Sequence, residues 1–241
     1  IPEEEVLKYL QVDTRYVRLN PPESWKRIRL DEFTAVDDWG VPWTKPHSTL
    51  YTTVSDNPIK EPTLKALENH PWPDPHDMSR YEGLREQAEH LYNNTPYAIV
   101  TDATTGAGMF DMAWRLRGME NLFVDMVENE EFLEAFLDRL EQLYIDIYTH
   151  FMQAVGDYIQ MVIYCADLSS QDGPLISPAM YHKHIKPRQK RLFEAIKNHT
   201  EAKLCVHTCG SAYALIPDYL ELGVEVINPV QTTAKNMEPE R

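Results

Sequence analysis

Short apolar runs alternate with amphipathic segments through the second two-thirds of the chain. Four of these runs have the length of buried strands, and they span 97–100, 158–165, 202–207 and 224–227. Strands separated by helices of roughly ten to twenty residues build βα units, in which the strands run parallel. The alternation therefore predicts an α/β fold with a parallel sheet. Its simplest closed form is a (β/α)8 TIM-type barrel, and a doubly wound open sheet is the alternative.

The predicted helices lie between these strands. They cover 77–92, segments within 107–127, 133–151, 177–199 and 211–222. The third is the clearest, because its apolar residues recur at steps of three and four, and Asn129 is its expected cap. Ser177 and Pro178 provide a cap and a first-turn proline for the next helix, which Pro187 is expected to break or kink.

Residues 1–75 are predicted to be irregular, since they hold more than half of the 17 prolines. Within them, 27–33 and 48–54 have the pattern of two strands of a hairpin. The 241 residues, 43% of them hydrophobic, suffice for one core and favour a single domain. Because the chain opens with Ile1 and stops at Arg241 in what looks like a helix start, we expect a fragment that lacks the first and last barrel strands.

The formal net charge of −15 argues against nucleic acid as a partner, since phosphate-binding surfaces need clustered Lys and Arg. The chain has no apolar stretch of about twenty residues and no signal-peptide pattern, which predicts a soluble, cytoplasmic protein without a membrane partner. Its three cysteines are too few and too odd in number for a disulfide framework. Reduced thiols available to a metal are the favoured interpretation.

His207 and Cys209 end the third apolar run and, by strand alternation, project to the same side. Imidazole and thiolate at this spacing can hold one divalent cation, with zinc the expected metal. The alternative is a hydrogen-bonded core histidine beside a small buried cysteine. Cys205 lies deeper on the same face and is interpreted as core, with a third ligand as the less favoured possibility. Cys165 is interpreted as a buried apolar residue.

Polar side chains also follow the other strands. Asp167 comes after the second run and is a candidate metal ligand, general base or substrate orienter, with a cap or turn role equally open. Gln171 follows in the same loop, and Asn228 and Gln231 follow the fourth run. The segment 37–40 has the composition of a turn. The basic run 183–191 is expected to be solvated, with contact to an anionic substrate as the alternative.

Four stretches, in this order and spacing, make the chain resemble the uroporphyrinogen decarboxylase superfamily, and most closely its cobalamin-linked methyltransferase branch. They are Gln171–Pro178, Ile185–Arg188, His207–Ser211 and Ile227–Gln231. The segments Pro71–Pro75 and Trp114–Gly118 resemble the same branch. The resemblance covers the chain from about residue 30 onward. It implies one domain over 1–241, a (β/α)8 barrel with its active site in the barrel mouth.

The methyltransferase branch also implies a chemistry. Zinc would be held by His207, Cys209 and a further cysteine expected beyond Arg241. Asp167 and Asn228 would be the catalytic residues that orient the acceptor or the zinc ligands. The substrate-binding residues implied are Asp38, Gln171 and Gln231. The methyl group would come from methylcobalamin on a corrinoid partner protein and pass to a small-molecule thiol or to tetrahydrofolate.

Two other functions stay open at this stage. The decarboxylases of the superfamily work on an acidic tetrapyrrole without a metal and do not use a His-x-Cys pair. They rely instead on arginines in an N-terminal segment and on an aspartate. A non-catalytic barrel that serves as a binding module is the third possibility.

Overall fold

The protein is described by a computed structural model that covers residues 3–25, 28–46, 49–102 and 104–239. Its strands are β1 (Thr14–Val17), β2 (Ile28–Arg29), β3 (Thr34–Val36), β4 (Pro42–Thr44), β5 (Thr53–Val54), β6 (Ala98–Thr101), β7 (Met161–Cys165), β8 (Lys203–His207) and β9 (Val226–Asn228). Its helices are α1 (Glu4–Tyr9), α2 (Leu64–Asn69), α3 (Leu84–Asn94), α4 (Met109–Arg117), α5 (Met119–Glu128), α6 (Glu130–Val155), α7 (Pro178–Met180), α8 (Lys186–Lys197) and α9 (Ile216–Glu221).

The main sheet has five parallel strands in the order β1-β6-β7-β8-β9. Spatial order equals chain order, as in successive strands of a (β/α)8 barrel, and the sheet stays open within the described residues. The predicted α/β fold is therefore confirmed. The four predicted strands are all present, with ends shifted by up to three residues. All five carboxyl ends lie along one border of the sheet, which we call the carboxyl edge.

Strand β1 is a correction to the sequence prediction, which made 1–75 irregular. Thr14 to Val17 pair in parallel with Ala98 to Thr101. The hydrophobic pattern hides this strand because it carries Arg15, which is nevertheless 5% exposed. Its guanidinium lies 3.6 Å from the centre of the Tyr97 ring and donates to Glu4 at 2.8 Å.

A second, antiparallel sheet of four strands has the order β2-β3-β4-β5. The predicted hairpin of 27–33 with 48–54 is therefore wrong in its pairing. Strands do form at Ile28–Arg29 and Thr53–Val54, but two further strands separate them. Residues 27 and 48 lie outside the described part of the chain. The predicted turn at 37–40 is confirmed, because the Gly40 amide donates to the Asp37 carbonyl at 3.1 Å.

Several predicted helices are divided. A 3-10 turn at Met78–Arg80 precedes α3, and Gly118, with φ +90°, separates α4 from α5. A π turn at Tyr181–Ile185 interrupts the predicted 177–199 helix just before Pro187. The Asn129 side chain does not cap α6; its amide donates to Asp125 Oδ1 at 2.9 Å. Among the described helices, none combines the length and the apolar character needed to cross a bilayer.

Helices cover one face of the main sheet. Val162 and Tyr164 of β7 are buried on that side, and the Tyr164 ring meets Phe193 of α8 edge to face with centroids 5.1 Å apart. The alternating residues Ile163 and Cys165 are half-buried on the opposite face. The 26-residue helix α6 is central to this layer and packs against α3, α4, α5 and α8.

The basic run 183–191 is partly buried, which corrects the expectation that it is solvated. His184 and Arg188 are 1% and 4% exposed. Arg188 donates from Nη2 to Glu134 Oε2 of α6 at 2.8 Å and from Nε to Asp138 Oδ1 at 3.1 Å. His184 Nδ1 lies 2.6 Å from Glu134 Oε1. These side chains link α8 and the π turn before it to α6.

Candidate metal centre

Three side chains with metal-ligating atoms meet at the carboxyl edge. Asp167 follows β7, His207 ends β8 and Cys209 lies two residues further on. One ligand atom from each lies within 4.8 Å of the other two. Strand pairing explains the meeting, because Cys165 is in register with His207 and brings the two strand ends side by side. The predicted pair of His207 and Cys209 is thus joined by the carboxylate of Asp167.

His207 is held in one orientation by Asn228. The last pair of the β8–β9 register joins these two residues, and His207 Nδ1 lies 3.0 Å from Asn228 Oδ1. An amide oxygen can only accept, so Nδ1 carries the proton and Nε2 keeps its lone pair. That Nε2 lies 3.6 Å from Cys209 Sγ. An outer hydrogen bond that fixes the tautomer of a ligating histidine is typical of metal sites.

Asp167 is held from two directions. Its Oδ1 accepts the Cys209 amide at 2.8 Å, which ties the carboxylate to the loop after β8. Its own amide donates to Asp111 Oδ2 of α4 at 3.3 Å. Asp111 is 5% exposed, and burial together with the negative charge of Asp167 raises its pKa to about 6. Sequence reasoning missed Asp111; the available signal was a carboxylate within the apolar run Met109–Ala113.

Gln171 and Gln231 lie beside the cluster and connect the loops that carry it. Gln231 Oε1 accepts the Gly210 amide at 2.9 Å, and its Nε2 donates to Gln171 Oε1 at 2.7 Å. Gly210 has φ +80°, and a Cβ on it would lie 2.4 Å from the Ser170 carbonyl oxygen. Glycine is therefore required where these loops cross.

Asp38 is not brought to this cluster. Its carboxylate receives a 2.7 Å hydrogen bond from Arg80 Nη2, and it lines a separate cavity near the ends of β1 and β6. Its predicted role in binding substrate stays a prediction. All three cysteines are free thiols. Cys205 is buried in β8, whereas Cys165 is half-buried at the end of β7, where burial raises its pKa to about 12.

The donor set fits zinc. Nitrogen, sulfur and carboxylate oxygen are its usual ligands, and tetrahedral geometry at typical bond lengths separates sulfur from nitrogen by roughly 3.5 Å. The distance of 3.6 Å from Cys209 Sγ to His207 Nε2 agrees with that geometry. Burial, and secondarily Asp167, raise the pKa of the Cys209 thiol. A divalent cation offsets both effects, because it stabilises the thiolate that burial penalises.

Comparison with known proteins places the chain in a family. Residues 52–237 match the family model described as uroporphyrinogen decarboxylase (URO-D). The chain belongs to the uroporphyrinogen decarboxylase family. The resemblance drawn from its motifs is thereby confirmed. A comparison with curated proteins finds no match.

Solved structures support the fold of this family member. Seven chains match, and one of them is a methyltransferase from Methanosarcina mazei. That structure matches with a TM-score of 0.55 and 16% identity over 79% of this chain and 52% of its own. The chain therefore spans about half the length of that methyltransferase. At this identity the likeness concerns the fold.

Proposed function

We propose that the protein is a zinc-dependent methyltransferase that moves a methyl group from a corrinoid partner protein to a thiol or tetrahydrofolate acceptor. The observation that carries the proposal is the meeting of Asp167, His207 and Cys209 within 4.8 Å at the carboxyl edge. Active sites of βα barrels lie on this side of the sheet. Three protein ligands also leave a fourth position for a substrate, as in catalytic zinc sites.

In this proposal each residue near the cluster has a defined task. His207, Cys209 and Asp167 hold the zinc, and Asn228 keeps His207 Nε2 available by accepting a hydrogen bond from Nδ1–H. When bound, zinc supplies Lewis acidity that keeps an acceptor thiol in its nucleophilic, deprotonated form. Asp111 fixes the Asp167 backbone, and Gln231 fixes Gly210 next to Cys209. The corrinoid partner would dock over the same edge, and the acceptor would bind between the partner and the ligands.

Metal analysis of the purified protein tests this proposal. Under reducing conditions we expect about one zinc per chain. His207→Ala and Cys209→Ala should each lose the zinc, together with methyl transfer from methylcobalamin to a thiol. Cys205→Ala is the matched control, because it removes a buried cysteine from the same strand and should keep the zinc. Asp167→Ala should also lower zinc content, because its carboxylate is the third ligand in this proposal.

The proposal fails if the protein purified under reducing conditions contains no stoichiometric metal. It also fails if His207→Ala and Cys209→Ala retain as much zinc as Cys205→Ala does. Fluorescence or circular dichroism spectra should show that all four variants keep the native fold. A loss of zinc supports the proposal only in a variant that has kept the native fold.

A metal-free decarboxylase is the second candidate, and one observation favours it. Arg18, just after β1, forms an ion pair with Asp102, just after β6. An arginine and an aspartate thus stand at strand ends on the same edge of the sheet as the cluster, and the decarboxylases of the family rely on these two residue types. Loss of carboxyl groups from uroporphyrinogen, catalysed by chelator-treated protein and abolished in Arg18→Gln, would establish this candidate. Activity that requires zinc and is insensitive to Arg18→Gln would exclude it.

A further inference from the structure

A cavity of about 500 Å³ lies between the antiparallel sheet and the carboxyl ends of β1 and β6. Leu19 follows β1, and Thr104 to Gly106 follow β6, so the cavity opens on the same edge of the main sheet as the metal cluster. Its size falls within the range of small-molecule sites. Neither His207 nor Cys209 lines it. It is therefore a separate binding place beside the candidate metal centre.

Tryptophans form its apolar wall. Trp25, Trp39 and Trp43 all line the cavity. The Trp43 ring is fixed, because its Nε1 donates to Asp37 Oδ2 at 2.7 Å. The other oxygen of Asp37 accepts the amides of Trp39 and Val41, each at 2.9 Å. Both oxygens of this carboxylate have partners within the protein, and the wall offers mainly aromatic faces to a ligand.

Two aspartates and two arginines line the cavity, and three of these four groups have partners within the protein. Asp38 pairs with Arg80, which is 5% exposed, and this pair is neutral. Arg115 has no ion-pair partner among the described residues, although Asp111 lies one turn earlier on α4. Its Nη1 donates only to the Gly106 carbonyl at 3.1 Å, and its buried Nε has no hydrogen-bond partner. A guanidinium has five N–H donors, so most of this one is unused.

The guanidinium of Arg115 is also placed against aromatic rings. Its central carbon lies 5.1 Å from the Trp43 ring centre and 5.7 Å from that of Trp114. A guanidinium placed over aromatic rings in this way keeps its remaining N–H donors for a planar, bidentate acceptor. Carboxylates are the acceptors that match those donors. A cationic ligand would meet the unpaired positive charge of Arg115 and is disfavoured.

We propose that this cavity binds a small planar aromatic carboxylate, with its ring against the tryptophans and its carboxylate on Arg115. Adjacent strands lie about 4.8 Å apart, so the ends of β6 and β8 are separated by roughly 10 Å. A one- or two-ring acid in the cavity therefore lies next to the metal cluster. Its binding does not depend on the metal.

Calorimetric titration of metal-depleted protein tests the inference with three probes of the same shape. These are 2-naphthoate, the neutral 2-naphthamide and the cationic 2-naphthylmethylamine. We expect naphthoate to bind at least about tenfold more tightly than the amide, since a charge-assisted bidentate pair is lost, and the amine to bind most weakly. Equal binding of acid and amide, or preference for the amine, would overturn the proposal.

Variants locate the binding. Arg115→Gln should remove the preference for acid over amide. Arg85→Gln, which alters an exposed arginine over the Tyr158 ring, should preserve it. Thr52→Trp, at an exposed position on the rim, should weaken binding of both probes and decides the question if Arg115→Gln does not fold. An unchanged titration in Arg115→Gln, or in Thr52→Trp where Arg115→Gln does not fold, would contradict the proposal. Because no metal is present, failure here is distinct from failure of the zinc proposal.

Discussion

The α6–α8 interface and the carboxyl edge both gather polar side chains, and they do so in opposite ways. At the interface, Arg188 meets carboxylates from α6, so each charge has an opposite charge within reach. At the edge, Asp167, His207 and Cys209 bring three electron-pair donors together. Paired charges hold two helices together, whereas gathered donors form a place for a cation. Substitutions in the two regions should therefore affect different properties.

The largest effect is expected from Gly210→Ala at the edge. The added Cβ would overlap the Ser170 carbonyl oxygen, and the φ of +80° is unfavourable for alanine. Overpacking and left-handed strain together should lower the free energy of unfolding by about 2–4 kcal/mol. Zinc content should fall as well, because the loop carries Cys209. Gly223→Ala has the same φ and open space around it, so it should cost only about 1 kcal/mol and keep the zinc. Equal losses in urea denaturation would contradict the steric argument.

At the interface, Arg188→Met should lower the free energy of unfolding by about 2–3 kcal/mol. Hydrogen bonds to charged groups contribute about 1.5–3 kcal/mol each, and the partial exposure of Glu134 and Asp138 reduces the sum. Zinc content should not change. Lys190→Ala removes an exposed cation of the same helix and should stay within about 0.5 kcal/mol of wild type. Loss of zinc in Arg188→Met without loss of stability would break the distinction between the two regions.

The polar residues of the carboxyl edge could be predicted from the sequence, because each follows an apolar strand that can be recognised from its own segment. Asp167, His207 and Asn228 each stand at the end of a readable apolar strand, and parallel strands bring such ends together. The interface could not be predicted in the same way. Arg188 meets carboxylates 50 and 54 positions away, and nothing in its own segment indicates which charges face inward.

Two other elements escaped prediction for a related reason. Strand β1 carries Arg15, whose aliphatic stem and stacked guanidinium are buried against Tyr97, so a charge appears where the pattern expects an apolar residue. Asp111 lies in an apolar helical run, and its role depends on a contact with the Asp167 amide from another element. Whether a charged group is buried depends on its partner in another element. The neighbouring residues in the sequence do not indicate that partner.

Asn228→Ala should disturb the orientation of His207 at the carboxyl edge without changing the stability of the fold. Without the acceptor at 3.0 Å, His207 loses the contact that fixes its tautomer, and zinc affinity should fall about 10- to 100-fold. The unfolding free energy of the zinc-free protein should change by less than about 0.5 kcal/mol, because Asn228 is exposed. Asn198→Ala, at the opposite end of the sheet, should keep wild-type affinity in competition with a chromophoric chelator. An unchanged affinity in Asn228→Ala would remove Asn228 from the site.

The smallest effect concerns the pH dependence of the interface. Glu134 is desolvated, which raises its pKa, but its hydrogen bonds with Arg188 and His184 prevail and leave the pKa lowered. A carboxyl whose pKa is lower in the folded state binds fewer protons there than in the unfolded state. It therefore stabilises the fold above its unfolded pKa of about 4.3, and that contribution is lost as the pH falls through the folded value. Since the side chain is 39% exposed, we expect less than about 1 kcal/mol.

In Glu134→Gln, the free energy of unfolding should accordingly fall less steeply than in the wild type between about pH 5 and pH 3. Urea denaturation at several pH values measures this slope. Glu131→Gln, on the exposed first turn of the same helix, is the matched control and should retain the wild-type slope. If both variants lose stability in parallel with the wild type, Glu134 is not a source of the acid sensitivity. The paired charges would then stabilise the interface through their contacts without making it sensitive to pH.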